Sequence, residues 1–168
     1  MVSWTTIRVQ VHQQRRLQDE EMLSTREKIL VEGLDDWVKV AQVHDYVAFE
    51  NPSATLSDVQ RRTLELIRSM ADEGVIALGE LKEGGARFVS WDIPVDHAIK
   101  RLAAEYVERF DDSTGWPWTL WFAVTDKGKQ IAQSCQGEYA SWLECLRAQG
   151  REYEAIPPQL APGGRHET

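Results

Sequence analysis

The sequence contains little cysteine and no arrangement of residues that would hold a metal ion. Its two cysteines, Cys135 and Cys145, are ten positions apart, a spacing that fits neither a zinc motif nor a redox motif. On a helical pattern such a pair is typical of buried, reduced thiols. The four histidines are scattered and form no His-x-x-His pair, so no metal site is predicted.

The chain also lacks long apolar stretches and an excess of positive charge. Its N-terminus has no apolar signal core, and no run approaches about 18 apolar residues, which predicts a cytosolic protein without a membrane span. The net charge of −8 favours solubility and disfavours generic attraction to nucleic acid or to anionic membranes.

Catalytic and cofactor-binding motifs are missing as well. There is no Gly-x-Ser-x-Gly elbow, no Walker loop and no dinucleotide fingerprint. The glycine-rich pieces at 82–85 and 162–164 are typical of turns. We therefore expect a protein that is not an enzyme and that needs no cofactor.

What is present is the length and composition of one globular domain. A chain of 168 residues can bury roughly 70 % of the surface that its unfolded form exposes. Residues 1–23 predict a strand, in which Ile7, Val9 and Val11 alternate with polar neighbours, followed by a polar segment. The domain then covers 24–147, and the Pro/Gly-rich residues 148–168 predict a disordered tail.

Helical and strand patterns follow one another along this domain. Ser24 with Glu27, and Ser57 with Gln60, match the capping box that begins a helix. The predicted elements are helices at 24–34, 36–49 and 57–73, strands at 75–81 and 86–92, a helix at 94–110, a strand at 116–125 and a last helix to 146.

This order of elements resembles the winged helix-turn-helix family. The segment LELIRSMADEGVIALGEL looks like the end of that family's third helix and its first wing strand. WFAVTDKGKQIA is similar to the exit from the wing, where the Thr caps the next helix and the Gly permits a close approach. The resemblance covers about residues 24–133. It implies an α+β fold: a winged-helix-like core of three helices and a small antiparallel sheet, with an inserted helix at 94–110 and a C-terminal helix.

The third helix is the element that reads DNA in this family. Its outer face carries Arg61, Arg62 and Arg68, but each has an acidic residue three or four positions away, as is typical of a solvated face. If this face approached DNA, the carboxylates between the arginines would lie close to phosphates, and the repulsion of like charges would weaken binding. If DNA is the ligand, these arginines and the wing residues Lys82 and Arg87 would carry the contacts.

Tryptophan is frequent, with seven in the chain. A strand at 116–125 would bury most of the cluster that it contains and would place Trp121 on the opposite face, opposite Trp91. Trp116, next to Asp111 and Asp112, is the tryptophan that we expect to be exposed, as an anchor for a partner.

Two functional hypotheses follow. The first is a non-enzymatic protein-binding module, such as an immunity or antitoxin-type inhibitor of a basic protein, that uses Asp111, Asp112 and Trp116. The alternative is a DNA-binding transcriptional regulator of the bacterial winged-helix type, with homodimerisation through the C-terminal helix. The alternative requires a contiguous positive surface across the third helix and the wing.

Overall fold

The computed structural model describes residues 23–164, and in these it has six helices and a four-stranded antiparallel sheet. The helices are α1 (Thr25–Glu32), α2 (Val40–Glu50), α3 (Leu56–Asp72), α4 (Val95–Tyr106), α5 (Trp116–Thr119) and α6 (Asp126–Ala148). The strands are β1 (Val38–Lys39), β2 (Ile76–Lys82), β3 (Arg87–Ser90) and β4 (Trp121–Val124). The predicted α+β class is confirmed, whereas the strand predicted around residues 7–11 lies outside the described part of the chain.

The sheet has the order β1-β4-β2-β3, and β4 is central although it comes last in the chain. The predicted hairpin of β2 and β3 is confirmed, with a short 3-10 turn over Glu83–Gly85 between the strands. After β3 the chain leaves the sheet, forms α4 and α5, and returns between β1 and β2. Phe122 then lies opposite both Val38 and Leu78, and all three side chains are buried.

The same topology shows that the prediction of Trp121 opposite Trp91 on paired strands is wrong. Trp121 pairs with Lys39 on one side and with Gly79 on the other. Because β2 separates β4 from β3, the two tryptophans do not lie on paired strands.

The start of α1 follows the sequence pattern, whereas the start of α2 does not. The Ser24 hydroxyl accepts a hydrogen bond from the Glu27 N–H at 3.2 Å, as an N-cap should. Helix α2 begins only at Val40, since Val38 and Lys39 pair with β4.

Helix α3 begins one residue earlier than its predicted cap. Thr55 is the N-cap, and its hydroxyl accepts from the Asp58 N–H at 3.2 Å. The capping box predicted for Ser57 and Gln60 is therefore wrong, and the Gln60 amide is not used to cap the helix. The apolar stripe of α3 does face the core, where its buried members are Val59, Thr63, Ile67 and Met70.

The junction of β4 and α6 has the local geometry expected from WFAVTDKGKQIA. The Thr125 hydroxyl accepts from the Gly128 N–H at 3.3 Å and donates to the Gly74 carbonyl at 2.6 Å. A Cβ atom at Gly128 would lie 2.3 Å from the carbonyl oxygen of Val75, so only glycine fits without a shift of backbone.

The tail after α6 is packed against the domain as far as Gly164, and the predicted disorder is wrong for these residues. Leu160 is fully buried, and its carbonyl oxygen accepts a hydrogen bond from His44 Nε2 at 2.7 Å. Composition alone suggested disorder, but proline lowers the entropy that a segment loses on docking. One buried leucine beside Pro157 and Pro158 is therefore an effective anchor.

The apolar stripe of α6, expected to form a homodimer interface, contacts α1 and α2 of the same chain. The Tyr139 hydroxyl donates to Glu32 at 3.0 Å. The Trp142 ring lies 4.3 Å from Lys28 Nζ and 6.0 Å from the ring of Tyr46. The stripe is thus engaged within the protomer, and it does not support dimerisation.

Candidate partner-binding surface

The loop of residues 107–115, between α4 and α5, presents several carboxylates to solvent. We call it the acidic loop; its exposed acidic residues are Glu108, Asp111 and Asp112. The Asp112 carboxylate accepts hydrogen bonds from the Thr114 hydroxyl at 2.8 Å and from the Thr114 N–H at 3.2 Å. These bonds favour the charged form and lower the pKa of Asp112. The charge of this residue is therefore retained well below neutral pH.

The tail holds the acidic loop from the other side. Asp111 Oδ1 accepts a hydrogen bond from the Gly163 N–H at 2.9 Å. Because Leu160 anchors the tail in the core, Asp111 is tied to a segment that is itself fixed. Both aspartates named from the sequence are thus exposed, and each has a defined position.

Trp116 is buried, and the expectation that it is exposed is wrong. Only 1 % of its surface is accessible. Its indole N–H donates to the Phe110 carbonyl at 2.7 Å, and its ring stacks on Phe110 with centroids 5.4 Å apart. Pro117 follows in the first turn of α5, where its fixed φ favours a helical turn over the extended strand that was predicted. The helical turn directs Trp116 into the core.

Trp118, two residues further on, occupies the exposed position instead. It is 61 % accessible, and its indole N–H donates to the Ser113 carbonyl at 3.1 Å. The ring therefore lies directly against the acidic loop. Lys39 Nζ lies 4.3 Å from its centroid, which is cation–π distance. Sequence reasoning missed this residue because a strand would have turned Trp118 to the same side as Trp116.

A groove runs between α3 and α4 and ends at the acidic loop. It consists of two cavities of about 320 and 310 Å³ that share Gln60 and Val107 in their walls. Leu64 and Ile99 line the first cavity, and the second is closed by the acidic loop. We call this feature the α3–α4 groove.

The arginines of α3 are each hydrogen-bonded to a neighbour. Arg61 pairs with Glu65 at 3.0 Å and with Asp58 at 3.4 Å, which confirms the pairing predicted along the helix. Arg68 departs from the prediction, because its partner is Asp96 of α4.

Arg62 departs from it too, since its guanidinium donates to the Asn51 side chain at 3.3 Å. The pairing of Arg68 with Asp96 shows that α4 lies along α3 and supplies a carboxylate to its exposed side.

Lys82 and Arg87, the hairpin residues proposed as DNA contacts, are paired with carboxylates in the same way. Lys82 Nζ lies 3.1 Å from Glu80, and Arg87 Nε lies 3.3 Å from Glu83. All four side chains are at least one-third exposed by area, so these pairs contribute little to stability. Their effect is on the surface potential, since acidic and basic groups alternate across the hairpin.

His44 is a buried titratable side chain near these elements, and both of its ring nitrogens are hydrogen-bonded. Nε2 donates to the Leu160 carbonyl at 2.7 Å, and Nδ1 accepts from the Tyr106 hydroxyl. This pairing assigns the neutral Nε2–H tautomer, because a carbonyl oxygen can only accept. Burial lowers the pKa of His44. The rings of Tyr106, Phe110 and Trp116 surround the imidazole, which makes it a structural centre of the core.

Within residues 23–164, no group of three His, Cys, Asp or Glu side chains is placed to hold a metal ion. In the same range, no helix has the length and apolar character needed to cross a membrane. Both cysteines are free thiols. Cys135 is buried as predicted, while Cys145 is exposed because it lies on the outer side of α6.

Comparison with family models, with curated proteins and with solved structures gives no significant match to this chain. The surface described above therefore has to be interpreted from its own geometry and charge.

Proposed function

We propose that the chain is a non-enzymatic protein-binding module that uses the acidic loop and Trp118 to contact a basic partner. One observation carries this proposal: an exposed tryptophan is hydrogen-bonded to a loop whose exposed aspartates are held in place. Rigid aromatic anchors are enriched in interface hot spots. Fixed charges of one sign steer a partner of the opposite sign and set its orientation.

An inhibitor of the immunity or antitoxin type is the biological role that this arrangement favours. Such a protein must meet a basic target quickly and hold it without chemistry of its own. The net charge of −8 assists long-range attraction, and the acidic loop supplies a local site for docking.

The core that carries this surface is proposed to be winged-helix-like. Support comes from the order α1-β1-α2-α3-β2 and from β4, which returns between β1 and β2. The cap formed by Thr125 and the close approach of Gly128 to Val75 add local support. In this interpretation β2 and β4 are the two strands that flank the wing. The elements β3, α4 and α5 are inserted between them in the chain.

The DNA-binding alternative is less well supported by the same surface. Asp96 of α4 binds Arg68, and Glu65 and Asp58 flank Arg61. Approach of a phosphate backbone to α3 would bring it close to these carboxylates, where like charges repel. We expect no measurable binding of a 20-base-pair duplex in fluorescence anisotropy at low salt. Binding that falls steeply with salt and is lost in Arg61→Ala would favour the regulator.

The protein-binding proposal is tested by affinity capture from nuclease-treated lysate of the source organism, with bound proteins identified by mass spectrometry. The test variants are Asp111→Lys/Asp112→Lys and Trp118→Ala. The control is Glu138→Lys/Glu144→Lys on α6, which changes the net charge equally at exposed positions.

A partner bound stoichiometrically by the wild type and by the control, and lost in both test variants, is the expected result. Loss in the control to the same extent would indicate a general charge effect. A partner retained by both test variants would place the interface elsewhere and contradict the proposal.

A further inference from the structure

We propose that the α3–α4 groove binds a short extended segment of the partner, with an apolar side chain in the groove and a Lys or Arg side chain at the acidic loop. This inference rests on the proposed function and names the chemistry that the partner presents. It is carried by the Gln60 side chain, by the walls of the groove and by the charge at its two ends.

Gln60 lies where the two cavities meet, and its side chain has no hydrogen-bond partner among residues 23–164. Only 8 % of its surface is accessible. Its amide atoms are nevertheless reached by solvent, because Trp91 Nε1 is the one side-chain N or O atom of residues 23–164 that is both fully buried and without a partner. The donor and the acceptor of Gln60 therefore face the groove. Thr55 caps α3 in place of Ser57, which leaves this amide free for a ligand.

A carboxamide carries both a donor and an acceptor. The group that complements it most simply is a peptide unit, which also offers one of each. Recognition of an extended segment through its backbone leaves specificity to the side chains that enter neighbouring pockets.

The walls on one side of Gln60 select an apolar side chain. Leu64 of α3 and Ile99 of α4 line this cavity, and Val107 lies between it and the next. Val107 is 38 % accessible, so part of its apolar surface is open to a ligand. A cavity of about 320 Å³ accommodates one aliphatic side chain together with its backbone.

The charge is different at the two ends of the groove. At the end of the groove near the start of α4, the charge of Arg68 is neutralised by Asp96. The charge of Arg61 on the rim is neutralised by Glu65. At the other end, the acidic loop supplies the carboxylates, and the nearby Arg109 is paired with Glu105 at 3.5 Å. A basic side chain of the ligand is therefore favoured at the acidic loop.

The length of the groove sets the length of the segment. From Leu56 to Arg68, both of which line it, α3 rises about 18 Å at 1.5 Å per residue. An extended chain covers that distance in about five or six residues. A hexapeptide is thus long enough to place an apolar side chain in one cavity and a basic side chain at the acidic loop.

The experiment is a binding screen of the full chain against an array of acetylated hexapeptides with a Gly/Ser background. One Leu and one Lys occupy every pair of positions, and a matched array carries Glu in place of Lys. Peptides that bind are measured again in solution by fluorescence polarisation. We expect Leu/Lys peptides of a defined spacing to bind at least about tenfold more tightly than their Leu/Glu counterparts.

Three variants locate the binding. Gln60→Met should weaken it by about tenfold, since two neutral hydrogen bonds to the backbone are lost, while the Tm stays equal to that of the wild type or rises. Val107→Arg should abolish binding by filling the groove. Ile93→Arg is its control, because Ile93 is similarly exposed at 40 % and does not line the groove.

The inference is overturned if no Leu/Lys peptide binds, if the Glu array binds equally well, or if the binding is unchanged in Gln60→Met and Val107→Arg. A lower Tm in Gln60→Met with unchanged binding would make Gln60 a purely structural residue. These failures are distinct from failure of the proposed function. A partner captured through Asp112 and Trp118 would still be lost in the acidic-loop variants, although the groove did not take part.

Discussion

His44 and Gln60 are two polar side chains that lie beside helix α4, and both are more than nine-tenths buried. Both ring nitrogens of His44 are hydrogen-bonded, one to Tyr106 and the other to Leu160. Gln60 bonds to no other side chain of residues 23–164 and lines an open groove. One helix thus separates a polar group whose hydrogen bonds are made within the protein from a polar group that faces the solvent of the groove.

This difference shows how a polar residue can be assigned to structure or to binding. A buried group whose hydrogen bonds are all made within the chain contributes to a unique packing, and its loss leaves partners unsatisfied. A group that faces solvent and bonds to no other part of the chain contributes less to the packing and is available to a ligand.

Replacement of the tryptophan in the His44 region should be far more damaging than replacement of the one at the acidic loop. Trp116→Ala removes a fully buried ring and leaves a cavity, and we expect a loss of about 3–5 kcal/mol in the free energy of unfolding. Trp118→Ala, at 61 % exposure, should cost no more than about 1 kcal/mol. Urea denaturation of both variants measures this contrast. Similar losses in the two would show that Trp116 is not the core residue described here.

The docked tail belongs to the His44 region, so Leu160→Ala should also be strongly destabilising. Removal of a buried leucine side chain costs about 2–5 kcal/mol, and we expect a value in this range from the same urea titration. Tyr153→Ala, in the same tail, is a control at a side chain that is 91 % accessible, with an expected change within about 0.5 kcal/mol. If Leu160→Ala changed the stability as little as the control, the tail would not be anchored in solution.

His44 should make the stability of this region depend on pH. Burial lowers its pKa below the ordinary value of 6.5, so the unfolded chain takes up a proton at a higher pH than the folded chain. The resulting contribution to stability is present above pH 6.5 and is lost as the pH falls below that value, with a slope of up to about 1.4 kcal/mol per pH unit.

The measurement is the free energy of unfolding of the wild type and of His44→Gln between pH 5 and pH 8. Subtraction of one curve from the other cancels the contribution of carboxylates that are common to both. The wild type should lose its advantage as the pH falls. A difference that does not vary with pH would mean that His44 is protonated to the same extent in both states.

The smallest effect on stability is expected in the groove. Gln60→Met replaces an amide that makes no bond within the described chain by an apolar side chain of similar length. We expect a change between zero and a gain of about 1 kcal/mol. The corresponding test in the other region is His44→Met, which should be clearly destabilising because the Leu160 carbonyl and the Tyr106 hydroxyl lose their partner. A loss in Gln60→Met equal to that in His44→Met would remove the distinction between the two regions.

Several features of the fold were predictable because their signals are local. The caps of α1 and α6 depend on a hydroxyl and a backbone N–H three residues away. The turn between β2 and β3 depends on Gly84 and Gly85, both of which have positive φ. The pairing of Arg61 with Glu65 is an i, i+4 contact on one helix. Such interactions are complete within one or two turns of chain.

The errors have a common origin in contacts between distant residues. Arg68 is within reach of acidic residues on its own helix, yet it pairs with Asp96, 28 positions away. Leu160 and His44 are 116 positions apart, so composition at the tail could not indicate that it packs into the core. The prediction of which of Trp116 and Trp118 is exposed was wrong because of a single turn, where Pro117 favoured a helix over a strand.

The candidate site likewise contains residues that the sequence predicts and residues that only the structure identifies. Asp111 and Asp112 were identified from the sequence, because a cluster of acidic residues in a turn is exposed in most settings. Trp118 and Gln60, the residues that we propose give the surface its specificity, were found only from the structure. Their roles depend on the direction of a side chain and on the absence of a partner, and neither property is encoded locally.

The sequence by itself determined the α+β class, the position of most helices and strands, the acidic balance and the exposed aspartates. These follow from periodicity, caps and charge, which act over a few residues. Only the tertiary structure decided which tryptophan is buried, where β4 enters the sheet and which amide faces the groove without a partner in the described chain. Each of these depends on contacts between residues that are far apart in the chain. Which of the possible contacts form is decided by the packing of the whole core.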